Sequence, residues 1–228
     1  MSAPLKLILF DVDGTLVDSQ HHIFDAMCAA CARVELTPPS REEVLSIVGL
    51  SLSVAVEKLM PNAGAAQRDQ MVEAYKDAFV QQRADLGTAA TSPLFPGAEE
   101  AIRALHAVDE NILGVATGKS RRGLDHILEG HGFSTLFITQ QVADDHPSKP
   151  HPSMVQRALF ETGVEPENAV IIGDTSFDMK MGAAGGIRRI GVDWGYHSRD
   201  ELVDAGAELV LEGYEQLIPA LDRMWRTA

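Results

Sequence analysis

A short apolar run, residues 5–10, stops abruptly at Asp11-Val12-Asp13-Gly14-Thr15. Apart from Lys6 the run carries no polar residue, the pattern of a strand buried on both faces, and a glycine among aspartates marks a tight loop behind it. Similar runs recur at 111–116, 136–139, 169–172 and 187–192, with a weaker one at 208–211. Helix-length amphipathic stretches lie between or after them, at 98–108, 121–129, 153–161, 176–184 and 214–224. Strand alternating with helix at this spacing predicts an α/β fold: a Rossmann-like parallel sheet covered by helices on both faces.

Between residues 18 and 87 the alternation breaks. Helical patterns at 23–34, 41–48, 53–60 and 67–83, punctuated by Pro38-Pro39 and Pro61-Asn62, predict an inserted all-helical cap domain. Residues 87–96, rich in Gly, Thr, Ser and Pro, read as the linker back to the sheet. The expected division is a core of residues 1–17 and 88–228 with a cap of residues 18–87. Ligands of open α/β sheets bind outside the carboxyl ends of the strands, so an insertion straight after the first strand is expected to act as a lid.

Composition removes whole classes of partner. With 19 Lys and Arg against 33 Asp and Glu, the formal charge of −14 repels nucleic acid and anionic membrane surfaces, and no basic cluster relieves it. A small anion remains admissible, because a bound cation and a few aimed donors outweigh diffuse charge inside a cleft. No apolar run reaches the ~18 residues of a membrane span, and the first ten residues show no basic start or cleavage site; a cytoplasmic location is the expectation. The only cysteines, Cys28 and Cys31, share one face of a helical pattern and are expected to be buried, reduced thiols rather than a redox or zinc pair. Oligomeric state is not readable from the sequence.

Four groups carry chemistry. Asp11 and Asp13 flank a valine at the end of the first strand; alone, such a pair reads as turn aspartates. Thr117-Gly118-Lys119-Ser120 ends the second with a hydroxyl, a glycine and a helix start capped by Ser120, an anion-binding arrangement that is otherwise an ordinary N-cap. Lys149 precedes Pro150 after the third strand, which projects its ammonium from an extended loop. Gly173-Asp174 ends the fourth, and Asp178 falls in the next helix's first turn. Each has a bland explanation, yet all four converge at strand carboxyl ends of one parallel sheet, which independent turns and caps do not predict.

These motifs resemble those of the haloacid dehalogenase superfamily, and the helical insertion resembles its C1-type cap; the similarity is greatest to the phosphoglycolate phosphatase and β-phosphoglucomutase group. The resemblance implies a magnesium-dependent phosphatase acting on a small phosphate monoester, phosphoglycolate-like or a sugar phosphate, through a phosphoaspartyl intermediate on Asp11. It implies Asp13 as acid and base, Thr117, Gly118 and Lys149 as phosphate-binding groups, and Mg2+ held by Asp11, Asp13 and Asp174 with Asp178 orienting from behind. A phosphomutase or a pyrophosphatase shares the core motifs, and from another class a phospho-acceptor signalling module combines the same residue types. The cap loop 49–53 offers no basic residue before Lys58, which speaks against a second phosphate. His21, His22, Arg41 and the loop 49–53 are candidates to face the leaving group, with solvation or capping as the plainer account. Trp194 and Tyr196 are expected to pack against a neighbouring helix.

Overall fold

The computed structural model describes residues 4–226. Among them, strands β1 (Lys6–Phe10), β2 (Asn111–Thr117), β3 (Thr139–Val142), β4 (Ala169–Gly173), β5 (Arg188–Val192) and β6 (Leu209–Leu211) form one parallel sheet in the order β3-β2-β1-β4-β5-β6. The chain leaves β1 at the centre, and the order reverses there. This is the switch point at which an α/β sheet opens a ligand crevice.

The period of two along β1 divides its side chains between two cores. Ile8 and Phe10 point to one face, packed with α6 (Ala98–His106), α7 (Arg121–Gly130) and α11 (Leu217–Arg226). Leu7 and Leu9 point to the other, against α8 (Ser153–Thr162) and α9 (Ser176–Ala184). Residues 7–10 are wholly buried, which explains the absence of polar residues there. Each such side chain contributes about 1.5–3 kcal/mol on leaving water.

The third strand lies later than expected, at Thr139–Val142 rather than 136–139. Leu136 and Phe137 are apolar because they plug the core beside the strand: Phe137 meets Phe10 and Phe133 edge-on, at 6.3 Å in each case. The strand itself is an edge of the sheet, and its Thr139 and Gln141 hydrogen-bond to Glu161. The linker is likewise not wholly irregular, since α5 (Thr88–Thr91) forms within it. The short helix α10 (Arg199–Asp204), capped by a Ser198–Glu201 box, has no counterpart in the sequence reading.

Between β1 and β2 the chain forms α1 (Gln20–Arg33), α2 (Arg41–Leu45), α3 (Leu52–Leu59) and α4 (Ala65–Leu86). These helices close around their own apolar cluster, with Met27, Cys31, Val44, Val56 and Met71 at its centre. Cys31 is buried with its sulfur 4.0 Å from that of Met71, and burial pushes its thiol up to about 11. Cys28 departs from expectation in being only half-buried.

The helical segment is seated on the sheet rather than swung away. Ser51 N–H donates to Ser148 Oγ at 2.9 Å, and His197 Nε2 lies 3.2 Å from the Ser46 carbonyl. At Gly118, a Cβ would lie 2.6 Å from the carbonyl oxygens of Gly49 and Leu50. That approach of loop 49–50 to the end of β2 is open only to glycine. None of the helices described is long and apolar enough to cross a membrane.

Candidate active site

The carboxyl ends of β1, β2 and β4 and the loop after β3 bring Asp11, Asp13, Thr117, Lys149, Asp174 and Asp178 together, all of them buried. Gly14 makes the turn after β1 at φ +80°, and Asp174 packs so close beneath it that a Cβ there would fall 2.1 Å from Asp174 Oδ2. The glycine thus serves both the turn and the contact between two strand ends.

Asp11, Asp174 and Asp178 each offer a carboxylate oxygen within 4.8 Å of the others. Burial, only partly offset by Lys149 and reinforced by Asp178, pushes Asp11 up to about 7. Burial and the charges of Asp11 and Asp178 likewise hold Asp174 well above the usual carboxylate range. Lys149 Nζ lies 2.9 Å from Asp11 Oδ1 and donates to Asp178 Oδ1 at 2.6 Å. Its own burial opposes the charge, but the two carboxylates outweigh it and raise the ammonium above its ordinary value. The expectation of a lysine projecting from a loop therefore resolves into a buried cation.

The other carboxylate oxygens are differently engaged. Asp174 accepts from Thr15 Oγ1 at 2.8 Å and from Tyr196 N–H at 3.0 Å. Asp178 closes a capping box with Thr175 at the start of α9, accepting from Thr175 Oγ1 at 2.7 Å and from its backbone N–H at 3.1 Å. Neither oxygen of Asp11 accepts a well-aligned hydrogen bond. Buried polar atoms are rarely left so. Clustered hard oxygen donors, with Asp11 Oδ1 met only by Lys149 and its Oδ2 by nothing, fit a small divalent cation.

Asp13 is held on the other side of the floor, where its Oδ1 accepts from Ser19 Oγ and lies 2.9 Å from Lys119 Nζ. Lys119 also sits 5.2 Å over the ring of Phe79 on α4, so one cation joins the sheet, the general-acid candidate and the helical segment. Thr117 Oγ1 accepts from Lys119 N–H at 3.2 Å, and Ser120 caps α7 by accepting from Gly123 N–H.

Sequence reasoning left Lys119, Ser19 and Tyr196 without roles. Tyr196 and Trp194 depart from simple helix packing. Trp194 Nε1 donates to the Thr15 carbonyl at 3.1 Å while its ring meets Phe95 and Tyr214, and Tyr214 O–H donates to the same carbonyl at 2.8 Å. Tyr196 reaches Ser19 at 3.3 Å and packs against the helical cluster. A sequence signal existed only for Lys119, which stands two residues after a strand-end threonine.

Asp11 and Asp13 open into a cavity of about 370 Å³ whose lining includes loop 49–53. His21, His22 and Arg41 are not among its lining residues. Arg41 instead bonds Gln20 at 3.0 Å and sits 5.7 Å over Phe24.

A sheet that ends in this arrangement defines a hydrolase class, and comparison with known proteins gives it a family. The profile of haloacid dehalogenase-like hydrolases matches residues 8–192, and the chain belongs to that family. Among curated relatives, the Dickeya dadantii (strain 3937) protein named "Probable phosphatase IndB" is 29% identical over 216 residues, spanning 94% of this chain and 92% of its own. The phosphoglycolate phosphatase of Salmonella typhimurium is 26% identical over 238 residues, spanning 95% of this chain and 92% of that protein. A haloacid dehalogenase-like family hydrolase from Streptococcus pneumoniae has the same fold, with a TM-score of 0.81 at 22% identity over 95% of this chain and 98% of that one.

Proposed function

We propose that this chain is a magnesium-dependent phosphatase that hydrolyses a small phosphate monoester through a phosphoaspartyl intermediate on Asp11. The observation that carries the reading is the meeting of Asp11, paired to Lys149 through Oδ1 at 2.9 Å but with Oδ2 unpartnered, and Asp13 in one cavity floored by Thr117 and Lys119. Phosphatase names among the relatives support the same reaction class.

The Asp11 carboxylate attacks phosphorus, forming the acyl phosphate as the ester oxygen leaves with a proton from Asp13. Asp13, now a carboxylate held by Ser19 and Lys119, takes a proton from the water that attacks the same phosphorus. Phosphate departs and Asp11 is restored. Thr117, the Gly118 N–H and Lys149 hold the other phosphoryl oxygens and stabilise the charge that spreads over them. The carboxylates of Asp11 and Asp174 and the backbone carbonyl of Asp13 would hold Mg2+, which would supply the positive charge that lets a carboxylate approach a phosphate. Asp178, tied by Lys149 and Thr175, fixes the geometry from behind.

In the same reading, residues 18–87 form the cap that excludes water from the acyl phosphate. The core 1–17 and 88–228 supplies the chemistry. A pyrophosphatase or a mutase needs cations around a second phosphate; loop 49–53 brings none, so a second phosphate would have to be met by Lys76, Arg83 or Arg122 elsewhere in the cavity lining.

The test is release of inorganic phosphate from p-nitrophenyl phosphate. Many turnovers per chain with Mg2+, abolished by EDTA, support the enzyme. One phosphoryl group retained per chain, with no turnover, overturns it in favour of a signalling module.

A further inference from the structure

The cavity above Asp11 has a composition that constrains its substrate. Asp11, Asp13, Thr117 and Lys119 form its floor, and Arg83 of α4 and Arg122 of α7, partly or fully exposed, lie at the mouth; Ser51, Ser53, Lys76, Ser120 and Asp144 are the other polar lining residues. Between them the wall is apolar: Met27, Val48, Leu50, Val72, Tyr75 and Phe79. Tyr75 and Phe79 stack at 5.9 Å with 29° between their rings, one helical turn apart on α4. A volume of about 370 Å³ matches sites that enclose a ring-sized body. A two-carbon acid would leave most of this apolar wall uncovered.

The mouth carries the second constraint. Arg83 and Arg122 approach from α4 and from α7, and among the described residues neither forms an ion pair, although Asp144 lines the same cavity. Burial first, and then the charge of Arg122, push the Arg83 guanidinium down. Two guanidiniums that repel each other across an opening are relieved by one shared anion.

We propose that the physiological substrate is a phosphate monoester of an alcohol with an apolar, ring-sized body and a carboxylate or similar anionic group at its far end. The phosphoryl group sits on the floor, the ring lies along Tyr75 and Phe79, and the distal anion bridges Arg83 and Arg122. This rests on the phosphatase reading of Asp11 and narrows it.

The experiment measures kcat/KM for phosphoglycolate, benzyl phosphate and benzyl phosphate carrying a para-carboxylate, on the full chain with Mg2+. The expected order is carboxylated benzyl over benzyl by about tenfold, and benzyl over phosphoglycolate by about a hundredfold. Arg83→Gln should bring the carboxylated-to-plain ratio close to 1 through KM. Phosphoglycolate equal to or better than benzyl phosphate overturns the apolar body while leaving the phosphatase intact. Plain benzyl phosphate equal to its carboxylated form, or a ratio unmoved by Arg83→Gln, overturns the distal anion site. No turnover of any ester overturns the phosphatase reading, and this inference with it.

Discussion

Lys119 Nζ lies 2.9 Å from Asp13 Oδ1 while standing 5.2 Å over the ring of Phe79, so the carboxylate proposed as the general acid is held by a residue that also touches the helical segment. Lys119→Met keeps the length of the side chain and removes both interactions. The expected result is a fall in kcat of roughly 10–100-fold, the size of loss that misplacement of a catalytic group by about 1 Å produces. Steady-state kinetics with Mg2+ checks it, and Lys119→Arg should recover part of the loss.

Lys149 is the only cation within hydrogen-bond reach of both Asp11 and Asp178 among the described residues. Lys149→Met leaves those carboxylates facing each other in a buried site, where an unpaired charge costs about 3–5 kcal/mol. Activity should fall by about 10²–10³-fold as phosphoryl charge loses its partner. The melting temperature in EDTA should fall as well, and recover partly at acid pH, where the carboxylates take up protons.

The same electrostatics set a pH dependence for the metal-free protein. Asp11 moves from an ordinary 3.8 to about 7 on folding, so between these values the folded chain binds a proton that the unfolded chain has lost. Its contribution is therefore fully present below pH 3.8 and is lost as pH rises through about 7, at up to ~1.4 kcal/mol per unit. Asp174, shifted in the same direction, adds to the loss. Mg2+ favours the ionised carboxylates, so it should raise the melting temperature more at pH 8 than at pH 5.5. Calorimetry at both pH values checks the sign, and an equal gain at each would contradict it.

Gly118 admits the carbonyls of Gly49 and Leu50 to the 2.6 Å at which a Cβ would stand. Gly118→Ala should hold loop 49–50 away from the end of β2, raising KM and lowering kcat by about tenfold each, because closure completes the site. A far-UV spectrum like that of the parent chain separates this from misfolding.

Much of this was legible in the sequence, for a physical reason. Strands buried on both faces cannot alternate polar with apolar residues, so β1, β2 and β4 stand out as short apolar runs, and the residue that ends each is exposed to reading. Asp11, Thr117 and Asp174 were found that way. The edge strand β3 was displaced because its neighbours Leu136 and Phe137 are more apolar than the strand. Tyr196 was missed because it meets Ser19 across 177 residues of sequence, where no local pattern exists, and Ser19 because a serine six residues after Asp13 carries no signal until the loop folds it back onto that carboxylate. Lys149 was found, but its burial was not, since only the fold shows that Asp11 and Asp178 surround it.

The central claim is that Asp11 carries the phosphoryl group. Enzyme mixed with excess p-nitrophenyl phosphate and Mg2+, quenched in acid during turnover and digested with trypsin, should yield the peptide of residues 7–33 with phosphate on Asp11, reducible by borohydride at that side chain alone. Turnover with Asp11 unmodified at every quench time, or phosphate on any other residue, would contradict the account.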